Sequence, residues 1–88
     1  MTFLNAIRKS MPARQQNSIA YGHLLRLTKE RKITSKRELT RIINEQIRGH
    51  KRMLDELAGA STNNDKRRQI AKWIDTLEKA RSLAADHL

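Results

Sequence analysis

Two apolar repeats of matching period constrain this chain more than any other feature. Ile43, Ile47, His50, Leu54 and Leu57 step by four, three, four and three residues; Ile70, Trp73, Leu77, Ala80 and Ala84 step by three, four, three and four. Such spacing keeps each set on one face of a helix. Two seams of the same period, joined by a short polar loop, predict an antiparallel helical hairpin with coiled-coil-like packing. Trp73 is expected inside that seam as a core residue rather than as a stacking platform.

Helix boundaries are written in the cap residues. Ser35 followed by Glu38 is a capping-box pair, and Gly59 suits a helix stop, so the first seam belongs to a central helix over 36–58 that also carries Leu39 and Ile42. Asn63 or Asn64 as cap and Asp65 in the first turn predict a last helix over 65–86. Pro12 suits a first helical turn, which predicts a helix over 12–32 with Ala13, Ala20, Leu24 and Leu27 inward, widened by Tyr21 and Leu25. Ile33 and Thr34 then form a tight turn. Gly49, inside the central helix and bordering its apolar face, calls for a neighbouring or partner backbone passing close by, or for a kink.

The N-terminal stretch reads in two ways. Thr2 to Lys9 forms a short helix interrupted by Ser10-Met11-Pro12. Either it packs Phe3 and Ile7 onto the bundle, or residues 1–11 are a docking arm. In the second case Phe3, Leu4 and Ile7, together with Ile19, which falls off the apolar side of its own helix, are candidate protein contacts. With no Cys and no Val, and few Gly and Pro, the whole chain favours helix. The expected fold is all-α: one domain over 1–88, a small bundle of three main helices plus a short N-terminal one. Two such hairpins could also form a four-helix homodimer, since a chain of this length has little core of its own.

Charge divides the chain. Residues 1–52 hold 13 Lys and Arg against 3 Asp and Glu, whereas residues 53–88 hold 6 of each. The whole net charge of +10 therefore sits in the first part. On the central helix Arg37, Arg41, Asn44, Arg48, Lys51 and Arg52 fall together, away from the apolar seam, and Arg26 and Lys29 lie on the polar side of the preceding helix. Arg41, Lys51 and Arg52 each have an acid four residues on, but Arg37 and Arg48 do not, so the stripe is not neutralised from within. An excess of this kind suits an anionic partner.

Catalytic and metal sites are not expected. His23, His50 and His87 sit on different elements without a thiol or a second histidine at ligand spacing, and the glycines are isolated. No cofactor, metal or small-molecule substrate is expected, and no enzyme. Nothing approaches a membrane span, and Met1 to Ser10 is too short and wrongly ordered for a secretory signal, so a cytoplasmic protein is expected.

The composition therefore points to a small basic binding protein of a regulatory or accessory kind. Its partner is nucleic acid, DNA ahead of RNA, contacted through phosphates by Arg37, Arg41, Asn44, Arg48, Lys51 and Arg52 with Arg26 and Lys29. His23 to Ile47 reads as a helix-turn-helix pair, although the turn lacks the usual Gly. The alternative is an inhibitor or adaptor, of the type carried by phages and mobile elements, that docks on an acidic or nucleic-acid-binding protein surface.

Overall fold

The computed structural model describes residues 2–58 and 64–88. Three of its helices begin where a side-chain oxygen satisfies an orphan amide. Thr2 Oγ1 accepts from the Asn5 amide at 3.2 Å, and α1 runs Phe3–Ser10. Ser18 Oγ accepts from the Tyr21 amide at 3.1 Å, and α2 runs Ile19–Arg31. Ser35 Oγ accepts from the Glu38 amide at 3.2 Å, and α3 runs Lys36–Glu56. The Glu38 carboxylate reaches back to the Thr34 amide at 3.5 Å, one residue ahead of the cap itself. α4 runs Asn64–His87.

These limits agree with the expected central and last helices to within two residues; the Gly59 stop and the Asn63 cap lie outside the described residues. The helix expected over 12–32 is instead two pieces. Pro12 caps one 3-10 turn, Ala13–Gln15, and α2 starts only at Ile19. Ser18 causes the break: its hydroxyl donates to the Gln15 carbonyl at 2.7 Å while accepting from Tyr21, closing one turn and opening the next. At its other end α2 stops on Lys32, which is left-handed with φ 52° and ψ 45°. The Ile33 amide then bonds the Thr28 carbonyl at 3.1 Å and the Ile33 side chain is buried, a Schellman-type end with Lys where Gly is usual.

Side-chain bridges fix how the helices run. Lys36 Nζ donates to the Ala85 carbonyl at 3.4 Å and Arg81 Nη1 donates to Asn44 Oδ1 at 2.9 Å, so α3 and α4 are antiparallel. His23 meets Gln46 at 3.4 Å, which lays α2 back along α3 and parallel to α4. The core lies among the first half of α3, the second half of α4 and α2: Leu24, Leu39, Ile43 and Leu77 are buried with Ala80 and Ala84. Alanines at the last two positions let α4 come close to both neighbours, and each fully buried Leu or Ile adds about 1.5–3 kcal/mol. Ile7 is fully buried, Met11 nearly so, and Phe3 packs half-buried against the cluster. The N-terminal segment is thus part of the bundle, and Ile7 is not a free protein contact.

Two expectations are corrected. Trp73 is 37% exposed rather than enclosed in the seam. α2 is shorter than expected, so its cover over α4 ends at Trp73, whose ring rests on His23 with centroids 5.6 Å apart and is open beyond. Among the described residues no third helix covers the far end of the α3–α4 hairpin, and the radius of gyration is 14.4 Å where a compact chain of this length has about 12 Å. Gly49 has open space around the position of a Cβ, so no neighbouring backbone of this chain explains it.

Two predictions concern stability. Lys32 occupies a conformation that costs a non-glycine residue about 1–2 kcal/mol, and Gly49 costs its helix about 0.5–1 kcal/mol relative to Ala. Lys32→Gly and Gly49→Ala should each raise the unfolding free energy by about 1 kcal/mol, additively, in urea titrations. His23 accepts from Arg26 on Nδ1 at 3.1 Å, so Nε2 carries the proton that meets Gln46. Burial, with Arg26 and His50 nearby, lowers its pKa below 6.5, against the opposing pull of the Gln46 bond and Glu30. The unfolded chain therefore takes up this proton first as pH falls. The His23 contribution is complete above about pH 6.5 and declines below it; His23→Gln should remove that part of the pH dependence in the same titrations.

Candidate nucleic-acid interface

α3 carries its core seam on one side and a row of cations on the other. Arg37, Arg41, Arg48, Lys51 and Arg52 are all exposed. From Arg37 to Arg52 the row extends about 22 Å along the helix axis. A shallow depression beside it is lined by Lys36, Arg37, Thr40, Arg41, Asn44 and Arg48. Because the opposite face is fixed by the core, the row is held on a rigid support, which keeps its charges in register.

Of the three cation–acid pairs that lie four residues apart along the α3 row, one forms: Arg41 Nη1 to Glu45 Oε1 at 3.0 Å. Both partners are more than half exposed, so the pair is worth only about 0.3–0.5 kcal/mol. Among the described residues Arg37, Arg48, Lys51 and Arg52 enter no ion pair. Asn44 is half-buried, and its carbonyl oxygen already accepts from Arg81. Its amide nitrogen is the group left to face a partner.

Sequence reasoning missed Lys36 and Arg81. Lys36 both borders the depression and caps the α4 carbonyl end, where a cation is favoured by the helix dipole. Arg81 comes from α4, yet the signal for it was present: a register that sets Ile43 opposite Ala84 and Leu57 opposite Ile70 brings Arg81 within about one turn of Asn44.

The structure separates Arg26 and Lys29 from the α3 row. Gln46, which faces α2 through His23, lies about 180° around α3 from Arg37. Arg26 and Lys29 instead border a second depression, between α1 and α2, with Leu4, Arg8, Gly22 and Leu25. Leu4 is half-buried there, and Ile19 stands 77% exposed at the start of α2. One expected basic surface is therefore two.

α2 and α3 fold back across the turn far enough for the His23 and Gln46 side chains to meet at 3.4 Å, while the close packing of α2 is on α4 and α1. Among the described residues no three His, Asp or Glu side chains gather as a metal group would, and no helix is long and apolar enough to cross a membrane. Compared with protein-family models, with curated proteins and with solved structures, the chain matches none.

Proposed function

We propose that this protein binds the phosphate backbone of nucleic acid, DNA ahead of RNA, through the exposed face of α3, as a non-catalytic regulatory or accessory protein of the cytoplasm. The observation that carries the reading is the row Arg37, Arg41 and Arg48, exposed on a rigid helix and opposed by one weakly engaged acid. Arg suits phosphate through its planar fork of donors. Cations spaced along about 22 Å of helix match a polyanion that offers phosphates in series. Stacking does not enter: Tyr21 is buried, and Trp73 lies on α4 against His23, away from the row. Affinity then comes from counterion release, with little reading of base sequence.

A second reading is favoured by the depression between α1 and α2. Leu4 and Leu25 give it apolar walls, and Arg8, Arg26 and Lys29 give it a basic rim. That combination suits an acidic amphipathic segment of another protein, as an inhibitor or adaptor would engage.

One experiment separates the two. A labelled DNA duplex is titrated with the wild-type protein, with Arg37→Ala/Arg41→Ala/Arg48→Ala and with Arg26→Ala/Lys29→Ala across a salt series. Wild-type binding should weaken log-linearly with salt. The triple variant should bind less tightly with a slope shallower by about three, one for each lost phosphate contact. The double variant should match wild type. Absence of binding at low salt, or a triple variant that behaves like wild type, would overturn the proposal.

A further inference from the structure

We infer that Arg81 of α4 is a positioning residue for anion binding on α3. It fixes the Asn44 side chain as a donor at the centre of a seat for one phosphate group. This role rests on the nucleic-acid reading of α3, and it adds a neutral, oriented contact to a row of charges.

Chemistry sets the orientation of Asn44. A guanidinium has donors and no acceptor, so the atom that meets Arg81 Nη1 at 2.9 Å is the carbonyl oxygen Oδ1. The amide nitrogen, on the other arm of the planar group, is turned away from Arg81. Among the described residues no acceptor meets Nδ2, and the atom is not buried. An untethered Asn presents its oxygen to a ligand as readily as its nitrogen, and the oxygen repels an anion. Arg81 removes that alternative. It is half-buried on α4 and does not line the depression on α3, so it acts on a ligand there through Asn44.

The surroundings decide what Asn44 can hold. It shares the depression with Lys36, Arg37, Thr40, Arg41 and Arg48. Around the helix it falls between Lys36 and Arg41, roughly 80° from the first and roughly 60° from the second. The Thr40 hydroxyl, one turn earlier, is the other neutral donor. The one acid of the lining is Glu45, and its Oε1 is engaged by Arg41 at 3.0 Å. Donors therefore surround the seat with little competition from acceptors. A phosphate carries oxygens that diverge in space and accepts from several directions at once. A carboxylate accepts in one plane and is served by a single Arg fork. Donors spread over an arc of about 140° suit the phosphate.

Two titrations test this role, the first without nucleic acid. Inorganic phosphate is added to isotope-labelled protein at constant ionic strength, and the Asn44 side-chain amide signals are followed by NMR. They should move saturably, and acetate at the same ionic strength should leave them in place. Arg81→Met should raise the apparent dissociation constant severalfold with helix content unchanged. Signals that phosphate leaves unmoved would overturn the inference, whatever the protein does with DNA. An equal response to acetate would overturn the phosphate assignment and give the seat to an acidic protein.

In the second, a DNA duplex is titrated across a salt series with wild type, Arg81→Met, Asn44→Ala and the double variant. Asn44→Ala should weaken binding about tenfold, the loss expected for one hydrogen bond to a charged group. Its salt slope should stay that of wild type, because no cation is lost. Arg81→Met should weaken binding in the same direction with the slope unchanged, and have no further effect in the Asn44→Ala background. A slope shallower by about one, or losses that multiply in the double variant, would make Arg81 itself a phosphate contact and overturn its positioning role. A duplex that does not bind while phosphate still moves the Asn44 signals would leave the seat standing and remove the nucleic-acid reading alone.

Discussion

The packing of α4 against α3 is the contact on which the other elements rest. Leu39, Ile43 and Ile47 lie in one buried cluster with Leu77, Ala80 and Ala84, and α2 and α1 add Leu24 and Ile7 to that cluster rather than forming one of their own. In a chain this small and without Cys no disulfide compensates for a weak core, so apolar area removed from water must outweigh the entropy of ordering. The hairpin brings long stretches of both helices together in register, which is why it sets the axis along which every other surface is arranged. The cation row is one such surface: it follows α3 because α3 is pinned from behind by Leu39, Ile43 and Ile47.

Much of this was legible in the sequence where a local rule decides the outcome. The matched periods of Ile43–Leu57 and Ile70–Ala84 gave an antiparallel pair, and Ser35 with Glu38 located the start of α3, because seams and caps act within a few residues. The start of α2 was not legible in the same way. Pro12 and Ser18 are both acceptable openings, and the choice of Ser18 depends on its two hydrogen bonds to Gln15 and Tyr21 once the chain has turned. Trp73 followed from that choice, since a helix beginning seven residues earlier, at Pro12, would have extended farther over it. The site divides similarly. That α3 bears an unneutralised row was readable from its own sequence, whereas the separation of Arg26 and Lys29 from that row depends on how α2 lies against α3, a tertiary fact.

An excess of +10 on so small a body disfavours compaction through self-repulsion. Placing the excess on outward faces of α1, α2 and α3, with α4 carrying both signs, keeps the cations apart and near water, where screening acts over about 10 Å or less. The few acids near them are placed where they serve the backbone or a neighbour: Glu38 at the start of α3, Glu45 beside Arg41. Folding and anion binding thus draw on different atoms of the same helix.

That separation bears on how such a sequence can drift. Ala80 and Ala84 have no solvent-facing area and sit where α2 and α3 both press on α4; any larger side chain there forces the helices apart at a cost of about 1–3 kcal/mol. Both columns are therefore closed to almost every replacement. Arg37 and Arg48 carry no part of the fold, so Lys, Gln or Ala at either leaves the architecture intact. Variation tolerated by folding would be wide along the outside of α3 and nearly absent along the inside of α4. Any narrowing on the outside would then record a partner rather than the protein itself.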